Sequence, residues 1–105
     1  MKSQIRKRPL GNAAVLVLAA LARGCKYGFD VMDQTGQKSG TVYRALGRLE
    51  ELGLTRSKWE AARVAMSEGR PRRRYYEITE AGAKELADAR ASLEDFQAKL
   101  VVQKR

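Results

Sequence analysis

The apolar positions of this chain change period along its length. From Leu10 to Ala22 nearly every side is apolar, which predicts a mostly buried first helix, entered at Pro9 and ended by Gly24. Tyr27 to Gln34 predicts a short second helix with Tyr27, Val31 and Met32 facing inward, and Thr35-Gly36-Gln37-Lys38 reads as a turn. Ser39 suits the N-cap of a third helix running to Leu52, with Val42, Leu46, Leu49 and Leu52 as its apolar stripe and Gly53 as its stop. The period then falls to two. Leu54 to Glu60 alternates as a strand anchored by Leu54 and Trp59, and Arg72 to Ile78 returns as a second strand. Tyr76 and Ile78 are expected to face the core and Tyr75 to lie outward. The loop between the strands, Ala61 to Pro71, is long for a hairpin, and Ala61 to Met66 suits a helical turn within it. Thr79 caps a last helix that reaches about Val102.

The order helix, helix, turn, helix, strand, loop, strand, helix is that of a mainly α (α+β) winged helix-turn-helix with a two-stranded wing. The expected division is a basic arm over residues 1–9, a DNA-binding domain over 10–79 and a C-terminal dimerisation helix over 80–105. The chain's 105 residues leave room for one domain with a thin core, which burial against a second copy would reinforce.

Charge sharpens this picture. The net charge is +9, and it is sorted. Residues 1–26 hold six Lys/Arg and no Asp/Glu; residues 61–79 hold five basic against two acidic residues. Two concentrated cationic blocks fit two contact regions on one polyanion. On the third helix, Thr41, Tyr43, Arg44 and Arg48 point away from the apolar stripe, with Lys38 and Ser39 at the leading end. Hydroxyls and guanidinium groups on such a face suit a major groove, and a helix N-terminus favours a phosphate. The run Gly69-Arg70-Pro71-Arg72-Arg73-Arg74-Tyr75-Tyr76 adds a turn and four arginines on the wing. Lys38, Ser39, Thr41, Tyr43, Arg44, Arg48, Arg70, Arg72 and Arg73 are therefore the candidate contacts to double-stranded DNA.

The last helix carries another signal. Gly82, Leu86, Ala89, Leu93, Phe96 and Leu100 follow the alternating spacing of an a/d seam. The seam is longer than one small domain needs, so Leu86, Ala89, Leu93, Phe96 and Leu100 are the candidate homodimer interface.

Enzymatic chemistry is not expected. There is no His and one Cys, Cys25, which can form neither an internal disulfide nor a structural zinc site; no cofactor or metal is expected. Cys25 reads as a small packed residue, with redox sensing as the other reading. The basic residues of Met1 to Arg8, the apolar run of ten from Ala13 to Ala22, and Ala20-Leu21-Ala22 trace the outline of a secretory signal. The run is too short to span a bilayer, and its removal would strip the domain of its most apolar helix. The expectation is a cytoplasmic domain with no membrane partner.

Four stretches also resemble the PadR family of transcriptional regulators, in its compact form with a single C-terminal helix. They are Leu10-Gly11 with the Val15-to-Leu21 run, and Tyr27-Gly28-Phe29-Asp30-Val31. The third is Ser39-Gly40-Thr41-Val42-Tyr43 through Arg48-Leu49-Glu50 and Gly53-Leu54; the last is the arginine run with Ile78-Thr79-Glu80-Ala81-Gly82. The resemblance implies a dimeric winged helix, usually a repressor of a nearby gene released by an inducer. Relatives of this compact type often bind a flat hydrophobic effector at the dimer centre, which Phe96 and the first helix would line here; the other reading is that these residues pack as core. The chain departs from the family at Arg44, where many relatives have Pro, in its longer wing loop and in the basic arm. A protein–protein interaction module and a sequence-independent DNA-compacting protein stand as the alternatives.

Overall fold

The computed structural model describes residues 9–102, so nearly all of the basic arm lies outside the described residues. Helix α1 covers Asn12–Ala22, α2 Gly28–Thr35 and α3 Ser39–Glu51. Strand β1 (Thr55–Trp59), helix α4 (Ala62–Ser67) and strand β2 (Arg74–Ile78) form the wing, and α5 spans Glu80–Leu100. The strands pair antiparallel, with Ser57 opposite Tyr76 and Trp59 opposite Arg74. The Tyr76 N–H donates to the Lys26 carbonyl (2.7 Å), which ties the segment before α2 to the outer edge of the sheet. This is the winged helix-turn-helix order. No helix among the described residues is long and apolar enough to cross a membrane.

The core forms where three helices present apolar stripes to one another. Val17, Leu18 and Leu21 of α1 meet Val31 of α2 and Val42, Leu46 and Leu49 of α3, all buried. Leu54 and Leu86 close the bottom of the cluster, with Tyr76 and Ile78 packed against it as the strand alternation implies. Leu52 is only half-buried; Ala45 takes the fourth core position on α3.

Several boundaries differ from the sequence reading. Helix α1 begins at Asn12, with Gly11 as its extended cap, so Pro9 lies ahead of the helix rather than at its entry. Helix α3 is capped by Lys38, because the Val42 N–H already reaches the Lys38 carbonyl (3.0 Å). Ser39 is thus the first helical residue and its hydroxyl is exposed rather than used in capping. Trp59 is not a core anchor. The last residue of β1 lies beyond the reach of the three-helix core, and its ring is 55 % exposed. Thr79 caps α5 as expected, accepting from the Gly82 N–H (3.1 Å) and donating to the Gly53 carbonyl (2.8 Å).

The start of α5 is fixed by a close approach. Gly82 is buried over the Leu54 carbonyl, which accepts from the Thr79 N–H (3.0 Å), and a β-carbon there would collide with that oxygen and crowd Ile78. An Ala in a helix interior is ordinarily about 1 kcal/mol better than Gly. Here the sign reverses, because backbone must move to admit the methyl group. Gly82→Ala is expected to destabilise the fold by about 1–3 kcal/mol in urea unfolding; an unchanged or raised midpoint would contradict this packing.

Candidate nucleic-acid interface

Helix α3 turns one continuous strip outward. Gly40, Tyr43, Arg44, Gly47 and Arg48 are exposed along it, led by Lys38 and Ser39, while Thr41 is half-buried at its edge. The strip follows from the buried stripe: once Val42, Ala45, Leu46 and Leu49 face the core, helical geometry leaves these positions to solvent. The hydroxyl end of the Tyr43 ring sits against Gly28, at a distance that a β-carbon on Gly28 would not permit. A glycine at the start of α2 therefore fixes an aromatic side chain on α3.

The wing is held by a single carboxylate. Glu60, just after β1, is 2 % exposed. Its two oxygens accept a parallel fork from Arg70 (Nη1 to Oε1, 2.7 Å; Nη2 to Oε2, 2.8 Å). The Arg73 N–H also donates to it (3.2 Å), and the Tyr75 hydroxyl lies 3.4 Å from Oε2. The Glu60 backbone is engaged as well: its N–H donates to the Arg73 carbonyl (2.8 Å) and its carbonyl accepts from Arg72 Nε (2.8 Å). The Arg70 hydrogen bonds, above the opposing effect of burial, lower the Glu60 pKa from 4.5 to about 2. The same fork raises that of Arg70. The Tyr75 ring lies tilted against that of Tyr27 (ring centroids 5.1 Å apart), and its hydroxyl is pushed up to about 12, chiefly by the neighbouring Tyr27 hydroxyl.

Arg70 was expected among the DNA contacts. The structure turns it inward instead: its side chain is 19 % exposed and is matched by both Glu60 and Glu68. Arg72 and Arg73 face outward, and so does Arg74, which the sequence reading left out. These three are steadied by rings. Arg72 and Arg74 flank Trp59 (5.8 and 5.3 Å to the ring centroid), and Arg73 lies over Tyr27 (4.7 Å). Arg74 also donates to Ser57 (2.9 Å), whose hydroxyl donates to Glu50 at the end of α3, linking wing to helix. Glu60 could not be singled out from composition, because its partner lies ten positions away across a loop. Arg74 had a signal, its place in the arginine run.

Helix and wing share one groove of about 860 Å³. Tyr43 contributes from α3 and Arg72, Arg73 and Arg74 from the wing, with Tyr27 and Phe29 at the α2 end. The arrangement offers cations and flat rings side by side. It offers no nucleophile–base pair, and no acidic or thiol cluster among the described residues could hold a metal ion. Cys25 is half-buried, and burial, then the Asp30 carboxylate, pushes its thiol up, which disfavours the reactive thiolate.

The expected interface helix divides in two. Leu86 is buried in the core of its own domain and Ala89 is half-buried, so Leu86 is already covered within one chain. Leu93, Phe96 and Leu100 lie beyond the domain at 58, 58 and 63 % exposure. Leu16 on α1 is exposed too.

The depressed Glu60 pKa has a pH signature. A carboxylate whose folded pKa lies below its unfolded value stabilises the fold above the unfolded value, and this contribution is lost as pH falls through the folded one. Wild type is therefore expected to be more stable than Glu60→Gln above pH 4.5, with the gap closing as the pH falls toward about 2. Thermal unfolding of both proteins across that range checks this, and a gap of constant size would contradict it.

The comparisons with known proteins agree with this geometry. No curated protein matches the chain. A solved PadR family transcription regulator from Clostridium difficile is 26% identical, with a TM-score of 0.75, covering 86% of this chain and 95% of its own. A transcriptional regulator from Clostridium thermocellum is also 26% identical, with a TM-score of 0.66, over 86% and 90% of the two chains. Bordetella bronchiseptica BpsR, whose DNA binding is regulated by 6-hydroxynicotinic acid, shares the fold at 20% identity and a TM-score of 0.71, over 91% and 68%. The sequence matches the family described as "Transcriptional regulator PadR-like family" over residues 17–88. That match covers most of the chain, including the whole helix-turn-helix and wing, and the chain therefore belongs to the PadR-like family, whose members are transcriptional regulators rather than enzymes.

Proposed function

We propose that this protein is a dimeric, sequence-specific repressor that binds a pseudo-palindromic operator in double-stranded DNA, in the cytoplasm. The observation that carries this reading is the shared groove. Tyr43, on the outward strip of α3, and the outward arginines of the wing line one groove, and the nearby wing carboxylate Glu60 is matched internally by Arg70. In this reading Lys38, Ser39, Thr41, Tyr43, Arg44 and Arg48 enter a major groove, while Arg72 and Arg73, joined by Arg74, hold the adjacent backbone. Arg70 acts through the shape of the wing.

The far half of α5 supports the dimeric reading. Leu93, Phe96 and Leu100 make an apolar stripe that a monomer rarely leaves open. A two-fold axis along it makes the stripe self-complementary and gives two recognition helices related by the same axis. Ala89 lies at the inner end of that interface. A flat hydrophobic effector would have its place beside Phe96, between the α1 and α5 helices of the two subunits.

Electrophoretic shift assays on a candidate operator test the proposal. Affinity is expected to fall with salt at a log–log slope of about −0.9 per neutralised phosphate. Arg72→Ala should weaken all sequences alike, whereas Thr41→Ala and Arg44→Ala should change which sequences are preferred. Leu93→Asp should give a monomer in sedimentation and lose the specific shift. A salt-insensitive complex, or a Leu93→Asp protein with full operator affinity, would contradict the reading.

A further inference from the structure

We propose that the groove between α2 and the wing is a binding site for a nucleotide, a planar base carrying a phosphate, and that its occupation excludes DNA. The second half rests on the DNA-binding reading above; the first does not.

The rings come first. Five of the chain's seven aromatic side chains line this one groove. Phe29 is 72 % exposed, and Trp59 and Tyr43 are about half exposed, so none of the three is consumed by the core. Exposed aromatic surface gathered in one concavity marks a place where something flat is covered. Trp59 already has Arg72 and Arg74 against it and Tyr27 has Arg73, so the open ring face of the groove is that of Phe29. Duplex DNA keeps its bases stacked inside and leaves that face unused, whereas an unpaired base stacks on it, because every base has a π-face.

The charges select the rest of the ligand. On the wing side, Arg73 has a ring beneath it and no ion pair among the described residues, and Arg74 has one long contact to Glu50 (3.9 Å). Their charge is available to an anion, unlike that of Arg70. On the α2 side stands Asp30, with no hydrogen bond or ion pair among the described residues. A carboxylate opposite three arginines works against a ligand that is only an anion. It suits one that also carries hydroxyl or amine donors. Ring, phosphate and donors occur together in a nucleotide. A simple aromatic carboxylate would leave Asp30 without a partner, and inorganic phosphate would leave the rings bare. The volume, about 860 Å³, admits a whole nucleotide and lies within the usual range for small-molecule sites. Tyr43, Arg72 and Arg73 belong both to this groove and to the proposed DNA contacts, which makes occupation by one ligand exclude the other.

Trp59 is the only tryptophan in the chain, so its fluorescence reports on this groove alone. Full-length protein is titrated with AMP, GMP, benzoate and inorganic phosphate. AMP or GMP should quench Trp59 saturably, with a Kd in the micromolar range. Benzoate and phosphate should bind far more weakly. Phe29→Ala should weaken the nucleotide about tenfold while leaving DNA affinity unchanged. Asp30→Asn should weaken the nucleotide and strengthen benzoate. No saturable quenching by either nucleotide, or benzoate binding as tightly as AMP, would overturn the site. The titration contains no DNA, so its failure is distinct from failure of the DNA-binding reading. Nucleotide binding without displacement of DNA would overturn the exclusion.

Discussion

A buried carboxylate holds the wing in shape. Glu60 cannot be desolvated at low cost unless its charge is met, and Arg70 meets it with a two-bond fork. The same residue anchors the chain on both sides of the loop, through Arg72 and Arg73. A loop longer than an ordinary hairpin connection thereby acquires a fixed geometry, with α4 seated in it. The pair also sorts the arginine run by role. One guanidinium is neutralised inward, and those at 72, 73 and 74 are turned out and braced on Trp59 and Tyr27. Removing Arg70 would leave Glu60 buried without its charge partner, which is the costly kind of loss.

The second constraint lies at the base of α5. Gly82 lets the helix backbone sit on the Leu54 carbonyl, and Leu86, one turn later, seals the core. Those two positions consume the inner part of the apolar seam. The outer part leaves the domain uncovered, which is the surface that the proposed dimer would use.

The elements were legible from the sequence because their periods are strong. The stripe Val42, Leu46 and Leu49 fixed the facing of α3, and with it the outward strip. The alternation around Tyr76 and Ile78 placed the sheet on the core. What sequence did not show depends on pairing at a distance. Glu60 and Arg70 are ten positions apart, and only the hairpin register brings them together. Trp59 reads as an anchor by hydrophobicity alone, yet the end of the wing has no core to bury it. Leu86 belongs to the seam by spacing, but spacing does not say which turns of a helix its own domain will cover. The groove joins α2, α3 and the wing, so its cluster of rings is a tertiary fact.

In the proposed function, a pinned wing and the α3 strip read sequence as one surface, doubled by a two-fold axis. Selection of bound sequences from a random duplex pool tests this most directly. The expected result is a motif of two dyad-related half-sites with centres about 34 Å apart, one duplex turn. Retention of DNA with no enriched motif would make the protein a sequence-independent binder and contradict it.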